Sequence, residues 1–214
     1  MARSEIDRSA EARRICALAP VIPVLVVEDA SKAKPLAEAL VKGGLPVLEV
    51  TLRTDAALDV IHEMAQVPGA IVGAGTLLEP QDVTRAKDAG AQFGVSPGST
   101  DALLDAAEAE DLPMLPGVSS LSEIMHLRSR GYNMLKFFPA EAAGGIPTLK
   151  SIAGPIPQVS FCPTGGISPQ SAGSYLALPN VVCVGGSWIT PAAMVADGAW
   201  PDIEALAREA ASLG

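Results

Sequence analysis

Eight apolar, β-rich runs recur down this 214-residue chain, and each starts 19 to 26 residues beyond the last. They are VIPVLVV from Val21, PVLEVTL from Pro46, AIVGAG from Ala70, QFGVSPG from Gln92, PMLPG from Pro113, YNMLKFF from Tyr132, QVSFCPTG from Gln158 and VVCVGG from Val181. Helix-like segments fill the intervals: Lys32–Lys42, Asp55–Gln66, Pro80–Asp88, Thr100–Ala109, Ser119–Arg128, Ile146–Ile152, Pro169–Leu176 and one starting near Thr190. A last helix is expected over Asp202–Ala210. Pro80 and Pro169 suit first turns, and Gly43, Gly90 and Gly131 suit stops. The strands read as apolar runs without clean alternation, which points to a parallel sheet covered by helices. Eight strand-then-helix units predict an α/β fold, a closed (β/α)8 TIM barrel with an additional N-terminal helix. An open doubly wound sheet is the alternative, but it usually needs fewer strands and leaves edges. No low-complexity linker divides the chain, so residues 1–214 are expected to form a single domain. The units share no consensus that would make them a solenoid.

Charge and cysteine usage narrow the class. There are 24 acidic residues against 15 Lys and Arg, a formal charge of -9. That balance argues against a nucleic-acid partner or an anionic membrane surface, while leaving a small anionic substrate open. The opening MARSEIDRSAEARRICAL lacks a long apolar core and reads as a short amphipathic helix rather than a signal peptide. No run has the apolar length needed to cross a bilayer. Cys16, Cys162 and Cys183 are odd in number and widely spaced. They fit three buried small hydrophobes in a reducing cytoplasm better than a disulfide framework or a zinc site. His62 and His126 lie on separate helical segments without ligand-spaced companions, so no metal is expected.

In a barrel of this kind, chemistry gathers where the strands end and their following loops begin. The polar residues there are Glu49 and Arg53 for the second strand, Thr76 for the third, Ser96 for the fourth, Lys136 for the sixth, Thr164 for the seventh and Ser187 for the eighth. Side chains alternate along a strand, so Glu49, Thr51 and Arg53 share a face, as do Met134, Lys136 and Phe138. Of six lysines only Lys136 sits inside a strand. An inward lysine can remain a charged partner of Glu49, at a heavy desolvation cost. It can instead be held as a neutral amine by a dry site and attack a carbonyl, giving an iminium that acts as an electron sink. A phosphate or carboxylate anchor is a third role, and the residues alone leave all three open.

Arg53 offers a planar fork suited to a carboxylate, with ordinary surface capping as its alternative. Thr76 fits either the same carboxylate or a helix N-cap. PTGGIS and VGGSWIT each follow a strand, and their glycines let backbone N–H groups converge on an anion, although tight turns also explain such pairs. Neither stretch matches the GxxxxGK[ST] or GxGxxG pattern, so nucleotide readings are weak. Phe137 and Phe138 read as core or pocket-wall residues that keep the lysine dry.

The fragments IPVLVVEDA, GGLPVLEVTLRT, VGAGT, FGVSPG, LPGVSS, LKFFPAE and PTGGIS, in this order from Pro20 to about Trp188, resemble the class I 2-dehydro-3-deoxy-6-phosphogluconate (KDPG) aldolases of the Entner–Doudoroff type. Members of that family often also split 4-hydroxy-2-oxoglutarate (KHG). The resemblance implies a cytoplasmic homotrimer of (β/α)8 barrels that works without metal or cofactor on a phosphorylated keto acid. It implies Lys136 as the Schiff-base lysine, Glu49 as general acid/base, Arg53 and Thr76 around the pyruvate carboxylate, and Pro97 in the pyruvate pocket. Thr164, Gly165, Gly166, Gly185, Gly186 and Ser187 then surround the distal phosphate. Three other readings stay open: an aldolase for the galactonate-derived epimer, a phosphate-binding isomerase or synthase using Glu49 as base, and a non-catalytic phosphometabolite sensor.

Overall fold

A computed structural model gives the structure of residues 7–213. Helix α1 (Ala10–Cys16) precedes β1 (Val21–Leu25), a 3-10 turn (Ala30–Lys32) and α2 (Ala33–Lys42). Then follow β2 (Val47–Thr51), α3 (Ala57–Ala65), β3 (Ile71–Gly75), α4 (Pro80–Asp88), β4 (Phe93–Val95) and α5 (Asp101–Ala109). The fifth unit holds β5 (Met114–Leu115), β6 (Gly117–Val118) and α6 (Leu121–Ser129). The chain continues through β7 (Met134–Phe137), α7 (Gly145–Ala153), β8 (Ser160–Pro163), α8 (Pro169–Leu176), β9 (Val184–Gly186), α9 (Ala192–Asp197) and α10 (Trp200–Ala211). Each expected run therefore yields a strand and each interval a helix. The part of the expected N-terminal helix before residue 7 lies outside the described residues.

All strand pairs are parallel. They are organised as two sheets, one of six strands in the order β5-β4-β3-β2-β1-β9 and one of three in the order β6-β7-β8. The expectation of one continuous eight-stranded ring is corrected to this extent. The division falls at Pro116, which has no N–H to give to a ladder. Before it, Met114 and Leu115 pair with Gly94 and Val95; after it, Gly117 and Val118 pair with Lys136 and Phe137. Single bridges, Phe161 to Val181 and Thr164 to Gly185, link the strand-eight region to the last unit.

The apolar residues sort into two clusters by strand parity. Leu48, Val50, Val72, Leu135, Phe137 and Phe161 point outward and join residues of the helices in the main core. Ile22, Val47, Phe93, Val95, Leu115, Met134 and Cys162 point the other way and form a separate inner cluster. Ile15 and Cys16 of α1 complete that inner cluster at the end where the strands begin. The α1 segment is fastened there by Ser9 Oγ, which accepts from the N–H groups of Asn133 and Met134 at 2.9 and 3.0 Å. Arg13 adds bonds to the carbonyl of Asn133 and the hydroxyl of Ser160. Among the described residues no helix is long and apolar enough to cross a membrane.

Candidate active site

Glu49 continues the inward parity of Val47 on β2, and Lys136 continues that of Met134 on β7. Their side chains meet across the interior: Lys136 Nζ donates to Glu49 Oε1 at 3.0 Å, with the two residues only 6% and 3% exposed. Desolvating two opposite charges is expensive, and a surface pair would be easier to build, so this arrangement costs stability that packing elsewhere must offset. Phe138 sets its ring 5.4 Å from Nζ, a cation–π distance, while Phe137 turns into the main core edge-on to Phe161. One phenylalanine is thus a pocket wall and the other core.

The backbone around the pair leaves room for it. Gly75, at the end of β3, lies directly under the Glu49 carboxylate, and any Cβ at that position would run into it. Gly75→Ala is expected to displace Glu49 and lower turnover by about 10²-fold, the scale on which misplaced catalytic groups are felt. Steady-state kinetics beside a thermal melt would separate this from simple destabilisation.

Arg53 and Thr76 line one cavity of ≈ 390 Å³, together with Leu52, Thr54, Asp55 and Arg85. Lys136 and Glu49 are not in its lining; Gly75, against the Glu49 carboxylate, immediately precedes Thr76 in the chain. Arg53 forms no ion pair among the described residues, so its fork is available. Thr76 adopts φ 63°, rare for a β-branched residue. Such local strain gathers at functional positions. The N-cap reading of Thr76 is overturned, because the N-cap of α4 is Glu79, whose N–H donates to Asp82 Oδ2 at 3.1 Å. Thr51, on the same strand face as Glu49, spends its hydroxyl on the Leu25 carbonyl at 2.8 Å.

Pro97 arrives from the turn after β4, its carbonyl against Gly117, the residue paired with Lys136 across β6–β7. Beside it, Ser96 is fully buried and its hydroxyl has no partner among the described residues. Such an orphan calls for a ligand or water. The two glycine segments also come together. Thr164 bridges Gly185, Gly165 and Gly166 turn at φ +102° and +81°, and Gly186 tucks beneath the Trp188 ring. The N–H groups of Gly166, Ile167 and Ser187 find no backbone acceptor among the described residues. Ser168 and Ser171 cap α8 themselves, and α9 starts only at Ala192, so an anion placed here would meet loop amides rather than a helix end.

His126 pairs with Asp101 at 2.9 Å, and His62 lies exposed on α3. Among the described residues no group of three or more His, Cys, Asp or Glu side chains, the cysteines included, is arranged to hold a metal ion. The three thiols are free and buried, and converge in the inner cluster. Contacts with the Cys16 and Cys162 thiols, and then burial, push the Cys183 thiol well up. That is a setting for inert cysteines, and their convergence was invisible in their spacing.

Residues 12–206 match the family model for KDPG and KHG aldolase. The chain is 52% identical over 200 residues to the KHG/KDPG aldolase of Escherichia coli (strain K12), covering 93% of this chain and 94% of that one. It superposes with TM-score 0.91 and 50% identity on the crystal structure of the 2-keto-3-deoxy-6-phosphogluconate aldolase of Zymomonas mobilis ZM4 with 3-phosphoglycerate, over 96% and 97% of the two chains. The KDPG aldolase of Legionella pneumophila, with pyruvate captured at low pH as a covalent carbinolamine intermediate, gives TM-score 0.91 at 48% identity over 93% and 97%.

Proposed function

Because the chain belongs to the KDPG and KHG aldolase family, we propose that it cleaves 2-dehydro-3-deoxy-6-phospho-D-gluconate to pyruvate and D-glyceraldehyde 3-phosphate through a Schiff base on Lys136. The same site is proposed to split 4-hydroxy-2-oxoglutarate into pyruvate and glyoxylate. The observation that carries this reading is the buried Nζ–Oε1 hydrogen bond between Lys136 and Glu49.

A proton moved along that bond turns the ion pair into a neutral amine and a carboxylic acid, the form in which the amine can attack a carbonyl. The amine adds to C2 of the keto acid, Glu49 gives its proton to the resulting oxyanion and then relays one N–H proton of the carbinolamine to the same oxygen, and water leaves as the iminium forms. Glu49, now a carboxylate, takes the proton of the C4 hydroxyl directly or through a water. The C3–C4 bonding electrons flow into the iminium, the aldehyde departs, and an enamine remains. Protonation at C3 and hydrolysis release pyruvate and restore the lysine. Each transfer reverses the protonation of one carboxylate, so a single group serves every step.

Arg53 and Thr76 are proposed to hold the carboxylate of the keto acid beside Gly75, with Pro97 closing the pyruvate pocket. The distal phosphate is assigned to Thr164, Gly165, Gly166, Gly185, Gly186 and Ser187, supported by the unfilled loop amides. The two sheets are proposed to close, through Pro116 and the single bridges, as one (β/α)8 barrel comprising the whole chain as one domain. Assembly as a cytoplasmic homotrimer rests on the family. Trp188 and Trp200 are half-buried against the main core; Leu121 and Met125 on α6 offer more exposed apolar surface.

Borohydride added with pyruvate tests the reading. The Lys136 peptide should gain a 1-carboxyethyl group, the reduced form of the pyruvate imine. An unmodified Lys136 overturns the covalent scheme and leaves the lysine as an electrostatic clamp.

A further inference from the structure

Glu141 ends the LKFFPAE run and Tyr175 lies on α8, and neither has been given a role in the chemistry. Tyr175 is fully buried, and its hydroxyl donates to Glu141 Oε1 at 2.6 Å. Burial first, and donation to the carboxylate second, raise the hydroxyl above its ordinary range, so it stays a donor.

Glu141 in turn lies against the glycine turn assigned to the phosphate. A Cβ on Gly166 would meet Cγ and Cβ of Glu141 at 2.7 and 2.8 Å. The backbone repeats the contact: the N–H of Ala140 donates to the Thr164 carbonyl at 2.8 Å, and that of Glu141 to the Gly165 carbonyl at 3.1 Å. Two carbonyls of the turn are thereby engaged by the β7–α7 loop, and the amides of Gly166 and Ile167 are left without a backbone acceptor. The Tyr175 hydroxyl also touches Gly145 at the start of α7, 2.8 Å from where a Cβ would stand. One buried hydroxyl thus meets the loop that follows the lysine strand and holds a side chain that packs on the next loop. A carboxylate beside an anion-binding turn is a liability unless it is held, because repulsion from a phosphate group acts at this range.

Resting on the function proposed above, we infer that Tyr175 is a positioning residue for the phosphate end of the substrate. By pinning Glu141 against Gly166 it fixes the Gly165–Gly166 turn and stops the negative charge from swinging over the loop amides. An unphosphorylated keto acid makes no use of that turn and is indifferent to the brace.

Tyr175→Phe removes the hydroxyl and keeps the ring that fills the core. The KM for the phosphorylated keto acid should rise about tenfold, the scale of one lost hydrogen bond to a charged group, with little change in kcat. kcat/KM for 4-hydroxy-2-oxoglutarate should change far less. Adding Glu141→Gln to Tyr175→Phe should bring most of the lost affinity back, because the released side chain is then neutral. An equal loss on both substrates, or none on the phosphorylated one, overturns the brace. A double variant no better than Tyr175→Phe overturns the charge-holding role. Pyruvate trapping by borohydride runs alongside: wild type and Tyr175→Phe should both be modified. Trapping with no split between substrates defeats only the brace, whereas failure of the wild type to trap defeats the function on which it rests.

Discussion

Lys136→Ala is expected to lower carbon–carbon cleavage by at least about 10⁴-fold, as follows from removing the covalent nucleophile. No other lysine stands in a strand, and the one acid at its side cannot form an imine. Single-turnover cleavage of the phosphorylated keto acid measures the loss, and borohydride should then leave the protein unmodified. The same change strands Glu49 in a site where it is 3% exposed. An unpaired buried charge costs about 3–5 kcal/mol, so the single variant is also expected to melt lower than the wild type. Lys136→Met combined with Glu49→Leu removes both charges and should melt no lower than the wild type, while remaining inactive. A double variant that melts far lower would show that the pair serves the fold rather than the chemistry.

Glu49→Gln is expected to keep substrate binding but reduce kcat by about 10²–10⁴-fold, the usual contribution of a positioned acid/base. The amide preserves the shape beneath which Gly75 fits and can still accept from Nζ. It can neither receive the proton that frees the amine nor take the proton of the C4 hydroxyl. Every step that passes through Glu49 slows together, so burst kinetics should reveal no accumulated enamine. Retention of more than about a tenth of wild-type kcat would assign the proton transfers to another group.

The strand parity that joins Glu49 to Lys136 across 87 residues was legible because both strands are buried runs with one ionisable residue inside. A period of two leaves such a residue only two faces to choose from. The break at Pro116 was less legible. PMLPG reads as one strand, and only the partners on each side show that the ladder changes hands there. Gly43 is the C-cap of α2, as its position suggests, with φ -72° and tight packing on α10, while Gly44 beside it takes the left-handed turn at φ +96°. Adjacent glycines cannot be told apart by propensity, since tertiary contact decides which one turns. Thr76 is a related case: a threonine shortly before a proline-started helix suggests a cap, but Glu79 stands nearer the first turn. Glu141 and Tyr175 are 34 residues apart, on a loop and a helix whose local patterns say nothing of each other. Their meeting depends on where the glycine turn places its backbone.

The N-terminal helix that seals the strand origins has a kinetic consequence. With Ile15 and Cys16 packed into that end of the inner cluster, substrate is expected to reach the amine from the opposite end. On the proposed scheme the aldehyde half departs while the ketone half is still held as an enamine on Lys136. In the reverse direction pyruvate is then expected to add first, and product-inhibition patterns check that order.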